Sequence, residues 1–454
     1  MKAQFQKLLS DVADTFWLVP GLMVLAAVLA AVGLVHFDRY QLIPQHLLDN
    51  PWLYNGGGTG ARTLLGAIAS SSIGVAGTVF SITIAALSLA AGQMGPRLLR
   101  NFTSDRGNQV TLGAFLATFS YALMVLRSIR TQEEGAFVPY LSLNVGILLA
   151  FVCVGTLVYF VGHMAGRINV DTVIELVSQE VRDAIARLTA DSEEAAPPPA
   201  AFWHGASVVA DPRSGYLQHL DEGSLADWAA EHGTCIRLLI RPGKYLFPGT
   251  PVAVATRHAD GLEEAIRNAT ALGPHRVGSL DLEFAVRQLV EVAVRALSPG
   301  INDPNTALSV LDRLGAALCD LAPLHLASGV TLRDGKPALV VPAVDYDGLA
   351  DAMLHMIRQN ASGCTAVLLR LIEVLTAVAS CERDPARARS LQRHAGLVLA
   401  DAERSITTPE DLDDVRQRHA AFTTMRQFGP AQAVGAGGGM PATGIGTDPV
   451  RWAP

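Results

Sequence analysis

Four runs free of Asp, Glu, Lys and Arg constrain this chain more than any other feature: about Phe16–Phe37, Leu64–Ala91, Gln109–Leu126 and Pro139–Gly162. Each is long enough for about 20 helical residues to cross roughly 30 Å of hydrocarbon. Lipid offers no partner to backbone N–H and C=O groups, so only helices or a closed barrel can span it, and these runs lack the alternation of barrel strands. Past the fourth run the charge returns. The whole chain of 454 residues is 50% hydrophobic and 17% charged, which suits neither an all-membrane nor an all-aqueous protein. The fold expected is membrane α-helical with four transmembrane helices, followed by an α+β cytoplasmic domain carrying a small β module and a helical bundle.

Orientation follows from Lys and Arg in the flanking loops. With the N-terminus inside, eight (Lys2, Lys7, Arg97, Arg100, Arg106, Arg167, Arg182, Arg187) flank the cytoplasmic ends and four (Arg39, Arg62, Arg127, Arg130) the outer ends. Both termini are therefore expected in the cytoplasm of a bacterial inner membrane. Asp11 and Asp14 follow Lys2 and Lys7, and no small-residue cleavage site closes the first apolar run, so that run is expected to stay as an anchor. The net charge of −7 speaks against nucleic acid as a partner. Five scattered cysteines form no CxxC pair, so neither a disulfide framework nor a zinc site is signalled.

In the second run Ser70, Gly74, Gly77, Ser81, Ala85 and Ser88 recur every three or four residues, with Thr78 beside them. That spacing draws one small, weakly polar stripe along a helix. It fits close helix packing, where small residues let backbones approach, or a hydroxyl-lined pathway. No acid or base falls at mid-membrane depth in any run, which argues against a proton-driven transporter. Arg97, Arg100 and Arg106 lie in the next loop, placed to meet anionic lipid headgroups. Outside, Asn55–Arg62 is glycine-rich but lacks phosphate-loop spacing, and a flexible loop is expected.

The chain divides into a membrane domain at 1–165, a helical stalk and linker at 166–200, a β-rich module at 201–258, a mainly helical region at 259–428 and a disordered tail at 429–454. Ser207–Ala210, Tyr216–Leu220, Cys235–Ile240 and Val252–Ala255 are the expected strands, and the Pro-Gly pairs at 242 and 248 supply turns for a compact barrel or sandwich. Glu283, Arg287, Glu291 and Arg295 stand four residues apart, the pattern of a solvated helix face. The corner Ser298–Pro304 ends one helix and starts another. Asp303 has the chemistry of an N-cap, Pro304 that of a first helical residue, and Asn302 is left without an assigned role. Further helices are expected at Tyr346–Gln359, Cys364–Ser380, Pro385–Arg404 and Glu410–Arg426.

Four motifs carry a resemblance. Gln93–Gln109, Ser214–Asp221, Arg241-Pro-Gly243 and Arg295–Ala307 resemble signatures of a bacterial family described only as predicted membrane proteins, a domain of unknown function (DUF2254). Together they cover most of residues 10–425. The resemblance implies an integral membrane protein with this same division of the chain, and brings with it no catalytic residue, substrate or cofactor. Zinc-protease, serine-hydrolase and P-loop motifs are missing from the sequence, so no enzyme, metal site or cofactor is expected. Two readings stay open: a homo-oligomeric channel or pore, contacting membrane lipids, with a cytoplasmic assembly or regulatory domain, and a non-transporting scaffold or sensor whose cytoplasmic domain binds a ligand or partner.

Overall fold

The computed structural model describes residues 16–40, 54, 56–94, 105–130, 137–167, 169–190, 195–276 and 282–429. The chain separates into a unit spanning Leu8–Thr172 and a second that begins at Val173.

The first unit contains four helices long and apolar enough to cross a membrane: α1 (Leu18–Arg39), α2 (Gly58–Met94), α3 (Arg106–Ser128) and α4 (Tyr140–Arg167). Helix α2 starts earlier than its apolar run. Gly58, Thr59 and Gly60 of the expected outer loop are already helical, and the Tyr54 hydroxyl donates to the Gly57 carbonyl at 3.0 Å just before them. Helix α3 is the most enclosed of the four and packs against the other three. Its Tyr121, Ala122 and Val125 meet Ala31, Leu65 and Leu143 in one core, while Leu112 and Phe115 meet Ala76, Val79 and Phe160 in another. Helices α1 and α4 turn large side chains outward. Leu25, Leu29, Phe151 and Val158 are each more than half exposed, as lipid-facing positions should be.

Two carboxylates of this unit sit at helix ends. Asp38, near the end of α1, accepts from the backbone N–H groups of Leu141 (3.1 Å) and Ser142 (2.9 Å) and from the Ser142 hydroxyl (2.6 Å). It thereby satisfies donors that the first turn of α4 leaves without intrahelical partners. Asp105 caps α3 by accepting from Gly107 N at 2.9 Å, and its other oxygen lies 2.6 Å from His163 Nε2 on α4.

The second unit opens with α5 (Val170–Leu188) and β1 (Thr189–Ala190), whose partner is β8 (His325–Leu326). Strands β2 (Ser207–Ala210), β3 (Gly215–Leu220), β4 (Ile236–Leu238), β5 (Tyr245–Leu246), β6 (Pro251–Ala255), β7 (Thr270–Gly273), β9 (Val330–Arg333) and β10 (Lys336–Val340) form two sheets. One runs β2-β6-β4-β10-β9 and the other β5-β3-β7. The expected β module at 201–258 thus shares its larger sheet with strands from beyond residue 330. Strand β10 lies parallel to β4, with Leu339 opposite Ile236. Helices α6 (Glu222–Glu231) and α7 (Leu262–Ala269) contribute Leu225, Ala229, Leu262 and Ile266 to a core with Leu217, Leu238 and Val252 of the strands and their flanks. Side chains of this size are worth roughly 1.5–3 kcal/mol each when fully buried.

The bundle consists of α8 (Leu282–Ala296), α9 (Pro304–Leu321), α10 (Tyr346–Asn360), α11 (Thr365–Cys381), α12 (Pro385–Ser405) and α13 (Pro409–Phe428). Caps mark its starts: the Asp303, Asp345 and Asp384 carboxylates accept from Thr306, Gly348 and Ala386 backbone N–H groups. The tail expected at 429–454 lies outside the described residues apart from Gly429.

Candidate functional site

Helix α2 has two unlike sides. Ala61, Leu65, Ile68, Ala69, Ala76, Val79, Thr83 and Ala86 are buried within the chain. At 3.6 residues per turn, the stripe of Ser70, Gly74, Gly77, Thr78, Ser81, Ala85 and Ser88 falls on the opposite side, and all seven are exposed. Larger side chains border it: Ile73, Phe80 and Ile84 along one flank, Ile82 and Leu89 along the other. Small residues thus lie between larger ones on a side facing away from the chain's own core. A Cβ added at Gly74 or Gly77 would meet no atom within 4 Å, so nothing within the chain requires glycine there.

Three of the four hydroxyls of this face are occupied locally. Ser70 donates to Ala67 O (3.2 Å), Thr78 to Gly74 O (3.2 Å) and Ser81 to Gly77 O (2.9 Å). Such back-bonding removes the donor cost of exposing the face to an apolar medium while leaving oxygen lone pairs outward.

Of the expected headgroup residues, Arg97 and Arg100 lie outside the described residues. Arg106 is the exposed first residue of α3.

In the second unit the 298–304 corner is held by backbone and capping hydrogen bonds. Asn302 adopts φ 49°, the left-handed region that asparagine tolerates better than most residues. The Asn302 and Asp303 backbone N–H groups donate to Ser298 O (2.9 Å) and Ala296 O (2.8 Å), closing α8. Asp303 then accepts from the Thr306 hydroxyl at 2.6 Å, and Pro304 opens α9.

The four-residue ladder on α8 is not simply a solvated face. Glu283 is largely buried and is gripped by three cations: Arg241 (3.0 Å), Lys244 (2.7 Å) and Arg287 (2.6 Å). Burial pushes its carboxyl upward, but hydrogen bonds and charge from Lys244 and Arg287 outweigh this and bring it down to about 2. Arg241 also donates to Ala343 O at 3.0 Å. It lies between two hollows. One, of about 320 Å³, is lined by Arg187, Leu220, Glu222, Arg241, Leu282 and Val341. The other, of about 340 Å³, is lined by Lys244, Glu283, Asp345 and Leu349 beside the same arginine. Among the described residues Arg187 has no carboxylate partner, although the Glu222 carboxyl lines the same hollow.

A family model described as predicted membrane protein (DUF2254) matches residues 13–377. The chain belongs to this family. Over 399 residues, 84% of this chain and 76% of theirs, it is 31% identical to uncharacterised proteins of Mycobacterium tuberculosis and Mycobacterium bovis. No solved structure matches it. Two signatures of this DUF2254 protein now have physical roles. Arg241-Pro-Gly243 carries the cation that holds Glu283, and the Ser298–Pro304 stretch closes one bundle helix and caps the next. Sequence reasoning missed the Asp105–His163 pair and the Glu283 hub. The only signal for the hub was the four-residue spacing of Glu283 and Arg287.

Proposed function

We propose that this integral membrane protein is a homo-oligomeric channel in which copies meet around the small face of α2, with the C-terminal unit as a cytoplasmic assembly and regulatory domain. The observation that carries this reading is the placement of that face opposite the subunit's own packing side. A surface meant only for lipid has no need of glycine and serine, as the large outward residues of α1 and α4 illustrate. One set of four helices encloses no pathway, so identical copies around an axis are required. Loop arginines support an inner-membrane orientation with both termini inside. Arg97, Arg100 and Arg106 then contact anionic headgroups, each contributing about 1 kcal/mol. No catalytic step and no nucleic-acid partner are assigned.

A non-transporting scaffold or sensor is the second reading. It is favoured by the local satisfaction of the Ser70, Thr78 and Ser81 hydroxyls, which suits a dry seam between copies. The hollow beside Arg187 and Arg241 would then hold the sensed ligand. A cysteine at position 81 separates the two. In the channel, Ser81→Cys reacts with a small water-soluble thiol reagent in intact membranes, and Ser81→Leu blocks flux while assembly persists. In the scaffold, the thiol stays unreactive and the leucine splits the oligomer. The second outcome overturns the channel.

A further inference from the structure

Three metal-binding side chains that are scattered in the sequence converge in the bundle. Asp351 and His355 are four residues apart on α10, so they project from one face of that helix. His394 reaches them from α12. Asp351 Oδ1 lies 3.1 Å from His355 Nε2 and 3.0 Å from His394 Nε2, and the three donor atoms all fall within 4.8 Å of one another. The His355 and His394 rings tilt at 53° with centroids 5.0 Å apart, so they are angled rather than stacked. A tetrahedral zinc ion with bonds of about 2.0–2.1 Å sets neighbouring donors about 3.3 Å apart, which is within small side-chain shifts of these separations.

His394 is the buried member of the set. It is 1% exposed, and its Nδ1 has no hydrogen-bond partner. Its Nε2 faces Asp351 Oδ1 at 3.0 Å, and an ion held there leaves Nδ1, on the far side of the ring, as it is. Asp351 and His355 are only partly buried, leaving a solvent side for an ion and a water ligand to enter.

We propose that Asp351, His355 and His394 form a binding site for a zinc-class divalent cation, clamping α10 to α12. Two imidazoles and one carboxylate suit zinc and its d-block neighbours over magnesium, which prefers oxygen and keeps its waters. The site has a built-in competitor. Arg393 pairs with the same Asp351 oxygen and stands 3.4 Å from His394 Nε2, occupying the place of the ion's charge. Its side chain is 43% exposed, so it swings to solvent as the cation enters. With Nε2 on the ion the His355 proton sits on Nδ1, so the Arg358 nitrogen 3.4 Å from that atom turns aside while its other terminal nitrogen keeps the buried partner Asp401. The proposal is independent of the membrane reading.

The test uses the full chain in detergent, freed of affinity tag and stripped with chelator, then titrated calorimetrically with Zn²⁺ and with Mg²⁺. One Zn²⁺ per chain is expected, with no Mg²⁺ uptake, and Zn²⁺ raises the thermal midpoint. His355→Gln and Asp351→Asn, at partly exposed positions, keep the elution volume and circular dichroism of the parent but weaken Zn²⁺ by at least about tenfold. Arg393→Gln tightens it several-fold, an effect that a purely structural role for this cluster does not produce. Absence of stoichiometric uptake, or uptake that survives both ligand substitutions at parental affinity, overturns the site.

Discussion

Asp38 and Asp105 of the membrane unit sit at helix ends, each serving backbone donors, whereas the C-terminal unit draws Glu283 and Asp401 inward and surrounds them with arginine and lysine. The difference is one of solvent. In hydrocarbon a charge at mid-depth costs several kcal/mol even when it finds some relief, so the sequence keeps carboxylates where water and first-turn N–H groups can reach them. In an aqueous domain a carboxylate can be buried if enough cations come with it. It then becomes something the fold depends on, because removing one partner strands the others.

The largest effect should come from Glu283. Its folded value of about 2 lies below the ordinary 4.5. A depressed carboxylate contributes stability that is fully present above the unfolded value and is lost as pH falls through the folded one. That difference corresponds to about 3 kcal/mol. Glu283→Gln should remove about this much at neutral pH, seen as an earlier denaturant midpoint in the fluorescence of Trp203 and Trp228. It should also flatten the acid dependence between pH 4.5 and about 2. A parental midpoint in the variant would break the contrast between the units.

Next comes Asp38→Ala in the membrane unit, which strands two first-turn donors of α4 and the Ser142 hydroxyl. A loss of about 1–2 kcal/mol is expected, read as a lower thermal midpoint in detergent with Zn²⁺ absent. Asp38→Asn should recover part of it, since an amide oxygen still accepts. A cost equal to that of Glu283→Gln would mean that the membrane unit too relies on a buried charge.

Asp303→Ala tests the same capping role in the aqueous unit. It should cost about 1 kcal/mol, and Asp303→Ser should restore most of that. Chemical denaturation of the two variants decides the point. The smallest effect belongs to the outward face of α4. Phe151→Leu should change detergent-state stability by less than about 0.5 kcal/mol, since lipid or detergent replaces the lost contact. A larger loss, with a change in particle size, would show that α4 packs against a second copy of the chain.

The membrane helices were legible in the sequence because the requirement they meet is one-dimensional: a long run without charge. The small stripe on α2 was legible for the same reason. Its outward direction was not, since the face a helix buries is decided by its neighbour, here α3. The Asp303 cap could be read from three adjacent residue types, and only the left-handed Asn302 needed coordinates. Glu283 shows the opposite case. Its Arg287 partner stands one helical turn away, but Arg241 and Lys244 come from a loop about forty residues earlier. Strand β10 was missed because Lys336–Val340 contains Pro337 and too little alternation to announce itself. Asp351, His355 and His394 escaped notice because a whole helix, α11, separates α10 from the histidine on α12, a spacing no short motif describes.

The parallel pairing of β4 with β10 has a consequence for synthesis. Ile236 leaves the ribosome about 100 residues before Leu339, the residue it registers with. Until then β4 holds one neighbour, β6, and presents its other edge unpaired, so the nascent sheet is half-built while the membrane helices are already being inserted. Unfilled strand edges invite pairing with other chains. Translation pauses or truncations between residues 260 and 335 should therefore yield aggregates rooted in this domain, whereas a chain extended past residue 340 closes the edge with its own β10.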